Sequence, residues 1–231
     1  MFGRQDRRTA GWSERIGILA VAAAFAYGAW PVEWILDRRL SARRSFVSEL
    51  GALTQPDAWV FNSLDLVAGV IVVALAFALA REIRGGQLFT LGCVCLGVFG
   101  AGDTAEALLP MDCAPSLSAR CLAREASGHG ISWHDRGHTI GSVASIVAVL
   151  LSMALIGWAM ANAPGWRWIA RPWLVAAPPL AVLSMYVGLL TLDRRLPGAL
   201  ERLMVTSFSL WVFTLGAVLL AAQHSRAQPS D

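Results

Sequence analysis

The chain has 231 residues, of which 56% are hydrophobic and only 15% charged, with a formal net charge of +3 and a mean hydropathy of +0.54. A soluble domain of this size carries roughly a quarter charged residues, so the composition excludes an ordinary water-soluble enzyme and places the chain in lipid. The small positive charge is shared between both ends of the apolar runs, which argues against nucleic acid as a partner.

A membrane span needs about 20 mostly apolar residues. Six runs reach that length, at about 15–36, 58–81, 87–109, 137–161, 172–192 and 203–222. Together they use nearly the whole chain, so residues 1–231 read as a single six-helix membrane domain. The expected fold class is an all-α integral membrane protein: a bundle of six transmembrane helices with a polar extracytoplasmic loop between helices 3 and 4. The expected location is the plasma membrane, crossed several times.

The first run follows Arg4, Arg7, Arg8 and Arg15 and contains small-residue patterns such as Ala22–Ala24, which imitate a signal peptide. It is longer than a signal-peptide core and ends in Trp30 and Trp34, so it reads as a retained span with a kink at Pro31. Ionisable residues inside a span are costly and face a bundle interior or a cavity. Asn62 and Asp65 in the second span are three residues apart and share a helix face, and Asp103 and Glu106 repeat that spacing in the third. Cys93 and Cys95, also in the third span, read as packing residues.

The polar connection from Pro110 to His138 holds His129, His134 and His138 together with Cys113 and Cys121. Two cysteines eight apart in a polar loop suit a disulfide, which persists on the oxidising side of a membrane. The arginines nearly tie between the two faces. The disulfide therefore decides the expected orientation, with this loop outside and both termini in the cytoplasm.

The fourth span carries His134, His138, Ser142, Ser145 and Ser152 on one polar stripe, with Gly141 beside it. Small and hydroxyl residues of this kind also serve simply as helix-packing contacts in lipid. His134 and His138 have the i, i+4 spacing that points two imidazoles at one metal. The glutamate of the zinc-protease motif is absent, and Gly137 weakens the helix between them. A third ligand stays open among His129, Asp112, Asp103 and Glu49. No motif fixes a cofactor; a zinc-like divalent metal is the one this set would hold, against histidines satisfied by water and carboxylates.

Pro178-Pro179 interrupts the fifth span, and the pentapeptide Leu-Asp-Arg-Arg-Leu occurs at 36–40 and again at 192–196, both on the face of the His/Cys loop. The chain has no lysine, so each basic residue is a guanidinium fork able to grip phosphate or carboxylate. The doubled arginine pairs suit an anionic lipid headgroup, or a solvated rim of charge. Trp12, Trp30, Trp34, Trp59, Trp133, Trp166, Trp168 and Trp173 sit near span ends as an aromatic belt. Gly-rich phosphate loops, nucleophile elbows and Cys-x-x-Cys sites are absent from the sequence.

The chain resembles the six-span bacterial membrane proteins grouped as family 998 of the domains of unknown function. The likeness rests on Ser48-Glu49-Leu50-Gly51 with Trp59, Phe61-Asn62 and Gly69, then Leu109-Pro110-Met111-Asp112-Cys113, His138 opening a span, and Pro197-Gly198-Ala199-Leu200-Glu201-Arg202. It implies a fold and no activity, and it implies that Glu49, Asp112, His138, Glu201 and Arg202 ring one pocket mouth.

Two functions of different class follow. One is a metal-dependent hydrolase or transferase acting on a membrane lipid, with His134 and His138 as ligands and Asp112 or Glu49 as ligand or general base. Glu201 would complete its carboxylates, and Arg202 or Arg194 would hold an anionic headgroup. The other is a non-enzymatic membrane protein: a lipid or small-solute transporter, a sensor or a scaffold. There the His/Asp set is a pH-sensitive or structural network.

Overall fold

The structure is a computed structural model that describes residues 7–36, 39–162, 167–192 and 198–227. Its helices are α1 (Arg7–Tyr27), α2 (Glu33–Leu36), α3 (Ala58–Glu82), α4 (Gly86–Leu108), α5 (Ala119–Ser127), α6 (Trp133–Ala161), α7 (Arg167–Leu192) and α8 (Gly198–Ala227), with 3-10 turns at Trp30–Val32 and Ser48–Gly51. Arg4, Asp37, Arg38, Trp166, Arg194, Arg195 and Pro197, singled out above, lie outside the described residues.

Among the described residues, five helices are long and apolar enough to cross a membrane, and joining α1 to the Trp30–Leu36 segment makes a sixth, bent by 46°. The protein is an all-α multi-span membrane protein. The bend has a chemical cause. Pro31 has no N–H to donate and its ring clashes with the preceding turn, so α1 stops at Tyr27 and the chain restarts as a short 3-10 turn.

The long helices form a closed ring, α1 against α3, α3 against α4, α4 against α6, α6 against α7, α7 against α8, and α8 back against α1. Glycine lets two of these pairs meet at the backbone. A Cβ on Gly100 of α4 would stand 2.7 Å from the carbonyl oxygen of Gly69 on α3, and one on Gly216 of α8 would stand 3.1 Å from that of Gly17 on α1. Trp211, Phe89, Phe99 and Phe208 are buried within the ring, while Val67, Val70, Phe77, Ile140 and Val143 point outward as a lipid-facing surface.

Several boundaries differ from expectation. The fourth span begins a turn earlier than 137, because Ser132 caps α6 by accepting from the Asp135 amide. The sixth runs beyond 203–222 at both ends. Pro178-Pro179 does not interrupt the fifth span: α7 continues through Pro172, Pro178 and Pro179, which lipid-embedded helices tolerate. The polar connection is also not all loop. It contains α5, capped by Ser118 and ended by Gly128 at φ 67°. Trp211 departs from the aromatic belt altogether: it is buried, with its ring 5.5 Å from that of Trp173.

Candidate functional site

At one end of the ring lies a cavity of about 100 Å³, with room for several water molecules or a small solute. The intramembrane polar residues named from sequence converge on it: Asn62 and Asp65 from α3, Asp103 and Glu106 from α4, and His138, Ser142 and Ser145 from α6. The three- and four-residue spacings stack each set on one helix face, and ring closure turns those faces toward a common space. Glu201 of α8 brings a fourth carboxylate. Among the described residues that line it there is no arginine.

Tyr27, Phe99 and Phe208 supply an aromatic wall, with edge-to-face ring pairs at 5.3 Å for Tyr27–Phe99 and 6.4 Å for Phe99–Phe208. Sequence reasoning missed this wall. Its signal was available, since Tyr27 sits one turn before the Pro31 break and Phe99 lies four residues from Asp103.

Glu106 organises the cavity's polar side. Its Oε2 accepts from Ser142 Oγ at 2.7 Å and lies 4.0 Å from His138 Nε2. His138 Nδ1 approaches the Glu106 carbonyl oxygen at 3.4 Å, which leaves the buried Nε2 with no hydrogen-bond partner. A buried polar atom of this kind marks a place where a water or ligand completes the site.

The residues expected to be catalytic are mostly engaged elsewhere. Glu49 is buried in the segment between α2 and α3, where Oε1 accepts from the Phe46 amide at 2.9 Å and Oε2 from the Ser116 amide at 3.0 Å. Burial raises its carboxyl above the ordinary value against the pull of these bonds. Asp112 accepts from the Ser132 amide at 2.8 Å and does not line the cavity. Partial burial works against its charge, but the Ser132 hydrogen bonds and the nearby Arg124 hold the carboxyl below its usual range.

Arg202 is buried, and its Nε and Nη2 grip the two oxygens of Glu33 at 3.0 and 2.6 Å. Its Nη1 donates to the carbonyls of Ala42, Ser45 and Gly198. With every donor arm engaged, it is not placed to hold a headgroup. Glu201 does both jobs, lining the cavity while accepting from the Val47 amide at 2.6 Å.

These bonds have a collective effect. The segment from Arg39 to Asp57 lies over the cavity through Val47, Ser48 and Gly51. It is pinned by Glu201 and Arg202 of α8, by Asn62 of α3 to the Gly51 carbonyl, and by Ser116 and Met111 of the polar connection. It is a cover clamped from three directions.

The three loop histidines do not gather. His129 is exposed and bonds the Ser127 carbonyl, His134 lies against the Trp133 ring at 4.0 Å between centroids, and His138 faces Glu106. Their different depths along α6 and its preceding loop separate them. Among the described residues, the set of three ligand atoms within 4.8 Å of one another is Cys113, Cys121 and Glu125. Its two sulfurs are already bonded to each other as a disulfide, with the Cα atoms 6.1 Å apart.

That disulfide ties α5 to the start of the polar connection. Burial, then the charges of Asp135 and Glu49, pushes the neighbouring Glu125 carboxyl up to about 7 from 4.5. A group with a raised folded value stabilises the fold by keeping its proton, fully below pH 4.5 and no longer once the pH has risen through about 7. Thermal stability of the purified protein is therefore expected to fall across that window, and Glu125→Gln to flatten the fall. An equal slope in both proteins would remove Glu125 as its source.

A family model described as "Protein of unknown function (DUF998)" matches residues 4–218. No curated protein and no solved structure shows a significant match to the chain.

Proposed function

Because the chain belongs to this family of proteins of unknown function, whose description names no activity, we propose from geometry that it is a membrane protein whose cavity binds a small organic cation. The observation that carries this reading is the convergence of Asp65, Asp103, Glu106 and Glu201 on one cavity that no arginine among the described residues lines. Like charges held together away from water are compensated by shared protons or by a bound cation. The walls of Tyr27, Phe99 and Phe208 suit an ammonium or guanidinium group, since an aromatic face attracts an organic cation. A small-solute transporter or sensor is the class that fits. The plasma membrane, with both termini in the cytoplasm, fits the disulfide on the outer side.

Calorimetry on the detergent-purified chain tests this with methylammonium, tetramethylammonium and guanidinium, acetate serving as the anionic control. At least one cation is expected to bind saturably, and Glu106→Gln to weaken it by about tenfold or more, the size of one lost charge-assisted contact. Binding of none of the cations, or equal binding by the variant, sinks the reading.

A metal-dependent hydrolase or transferase acting on a lipid is the second reading. It draws on one observation: the unpartnered His138 Nε2 stands 4.0 Å from a Glu106 oxygen that also holds Ser142. One zinc-like ion or one water fits that gap. Zinc in the same titration separates the two readings, because a metal site predicts tight zinc uptake that His138→Ala abolishes.

A further inference from the structure

We propose a second binding site, of opposite charge, for a phosphate-bearing anion between the cavity's cover and the disulfide-linked α5. A recess of about 300 Å³ lies there, lined by Arg39 and Gln55 from the cover and by Ser118, Arg120, Arg124 and the Cys113–Cys121 disulfide from the opposite side. Three arginines line this recess, and among the described residues no carboxylate does. The carboxylates whose charge reaches Arg124 are Asp112, Glu125 and Asp135, all outside the lining.

The arginines differ in how far the protein occupies them. Arg39 Nη2 donates to Gln55 Oε1 at 3.0 Å, which holds that guanidinium at the cover's edge. Arg124 Nη2 points at Cys113 Sγ at 3.1 Å, while its Nε is buried with no hydrogen-bond partner. Arg120 is exposed and makes no hydrogen bond or ion pair among the described residues. Buried guanidinium N–H groups without acceptors are costly, and a tetrahedral oxyanion offers several acceptors to planar forks at once. Ser118 opens α5, so that helix also directs its N-terminal dipole at the recess.

The site's place in the fold decides what class of anion it takes. Its two sides, the cover and α5, are connections between span ends, and such connections meet the level of lipid phosphates. A phosphodiester headgroup and free phosphate share the chemistry that would be recognised. An anion bound here bridges Arg39 of the cover to Arg120 and Arg124 of α5, which lie on opposite sides of the recess. The inference stands apart from the cation reading, because different residues with the opposite charge carry it.

The test uses the full chain in a zwitterionic detergent, titrated separately with inorganic phosphate and with dihexanoyl phosphatidylglycerol, dihexanoyl phosphatidylcholine serving as the lipid control. Saturable binding of the phosphatidylglycerol is expected, weakened about tenfold or more in Arg120→Gln. That variant alters an exposed side chain without partners among the described residues, so its fold is retained. Arg136→Gln, a surface arginine outside the recess, is expected to bind like the wild type. Competition by free phosphate identifies a general phosphate site, and its absence a headgroup site; either supports the proposal. Failure of both anions to saturate, equal binding by Arg120→Gln, or an equal loss in Arg136→Gln overturns it.

Discussion

Replacing Arg202 with glutamine is expected to cost about 3–5 kcal/mol of stability, the usual penalty for breaking a buried ion pair from one side. The cost arises on both sides of the break. Glu33, only 2% exposed, keeps a carboxylate with no cation beside it. The carbonyls of Ala42, Ser45 and Gly198 lose the donor they share. The ring of Trp30, 5.6 Å from the guanidinium carbon, loses its cation as well. The double variant Glu33→Gln/Arg202→Gln is expected to recover part of the loss, because it leaves no charge stranded. Thermal unfolding in detergent measures all three proteins. A loss under about 1 kcal/mol in Arg202→Gln would mean that the pair behaves like an exposed rim contact.

Reduction of the Cys113–Cys121 disulfide carries the next largest expected effect. The bond closes a loop with a sequence separation of 8, and in the chain-entropy account a loop of that size is worth about 2.5 kcal/mol. Cys113→Ser/Cys121→Ser is expected to lower the unfolding temperature by the same amount as reductant does, and reductant to have no further effect on that variant. The same cysteines report orientation. After mild reduction of intact cells, a thiol probe that cannot cross membranes is expected to label Cys113. Labelling only after the cells are broken would put the polar connection in the cytoplasm and invert the orientation proposed above.

The spans were legible because a membrane imposes one strong rule, about 20 apolar residues per crossing. The lining of the cavity was legible for a related reason. Lipid makes Asp65, Asp103 and Glu106 expensive unless they face inward, and their three-residue spacings to Asn62 and to each other assign the face. Roles at the membrane edge were not legible. Glu49, Asp112 and Arg202 look from sequence like the same chemistry as Glu106, since charge at a span end is cheap and serves equally as catalyst, cap or clamp. What separates them is the partner: Ser116 for Glu49, Ser132 for Asp112 and Glu33 for Arg202 lie 67, 20 and 169 residues away. Local periodicity carries no information at such distances. The helix α5 was missed for a different reason. Its nine residues are polar and short, although Ser118 and Gly128 bracket it with recognisable caps.

The closed ring also bears on how the protein is made. Chains enter the membrane from the N-terminal end as they are synthesised, yet α1 has α8 as one of its two neighbours. Until α8 arrives, α1 stands with one flank facing lipid, and Glu33 waits for a cation encoded 169 residues later. A chain that ends within α7 therefore has neither the Glu33–Arg202 pair nor the α1–α8 contact, and both form only once the last span is in place.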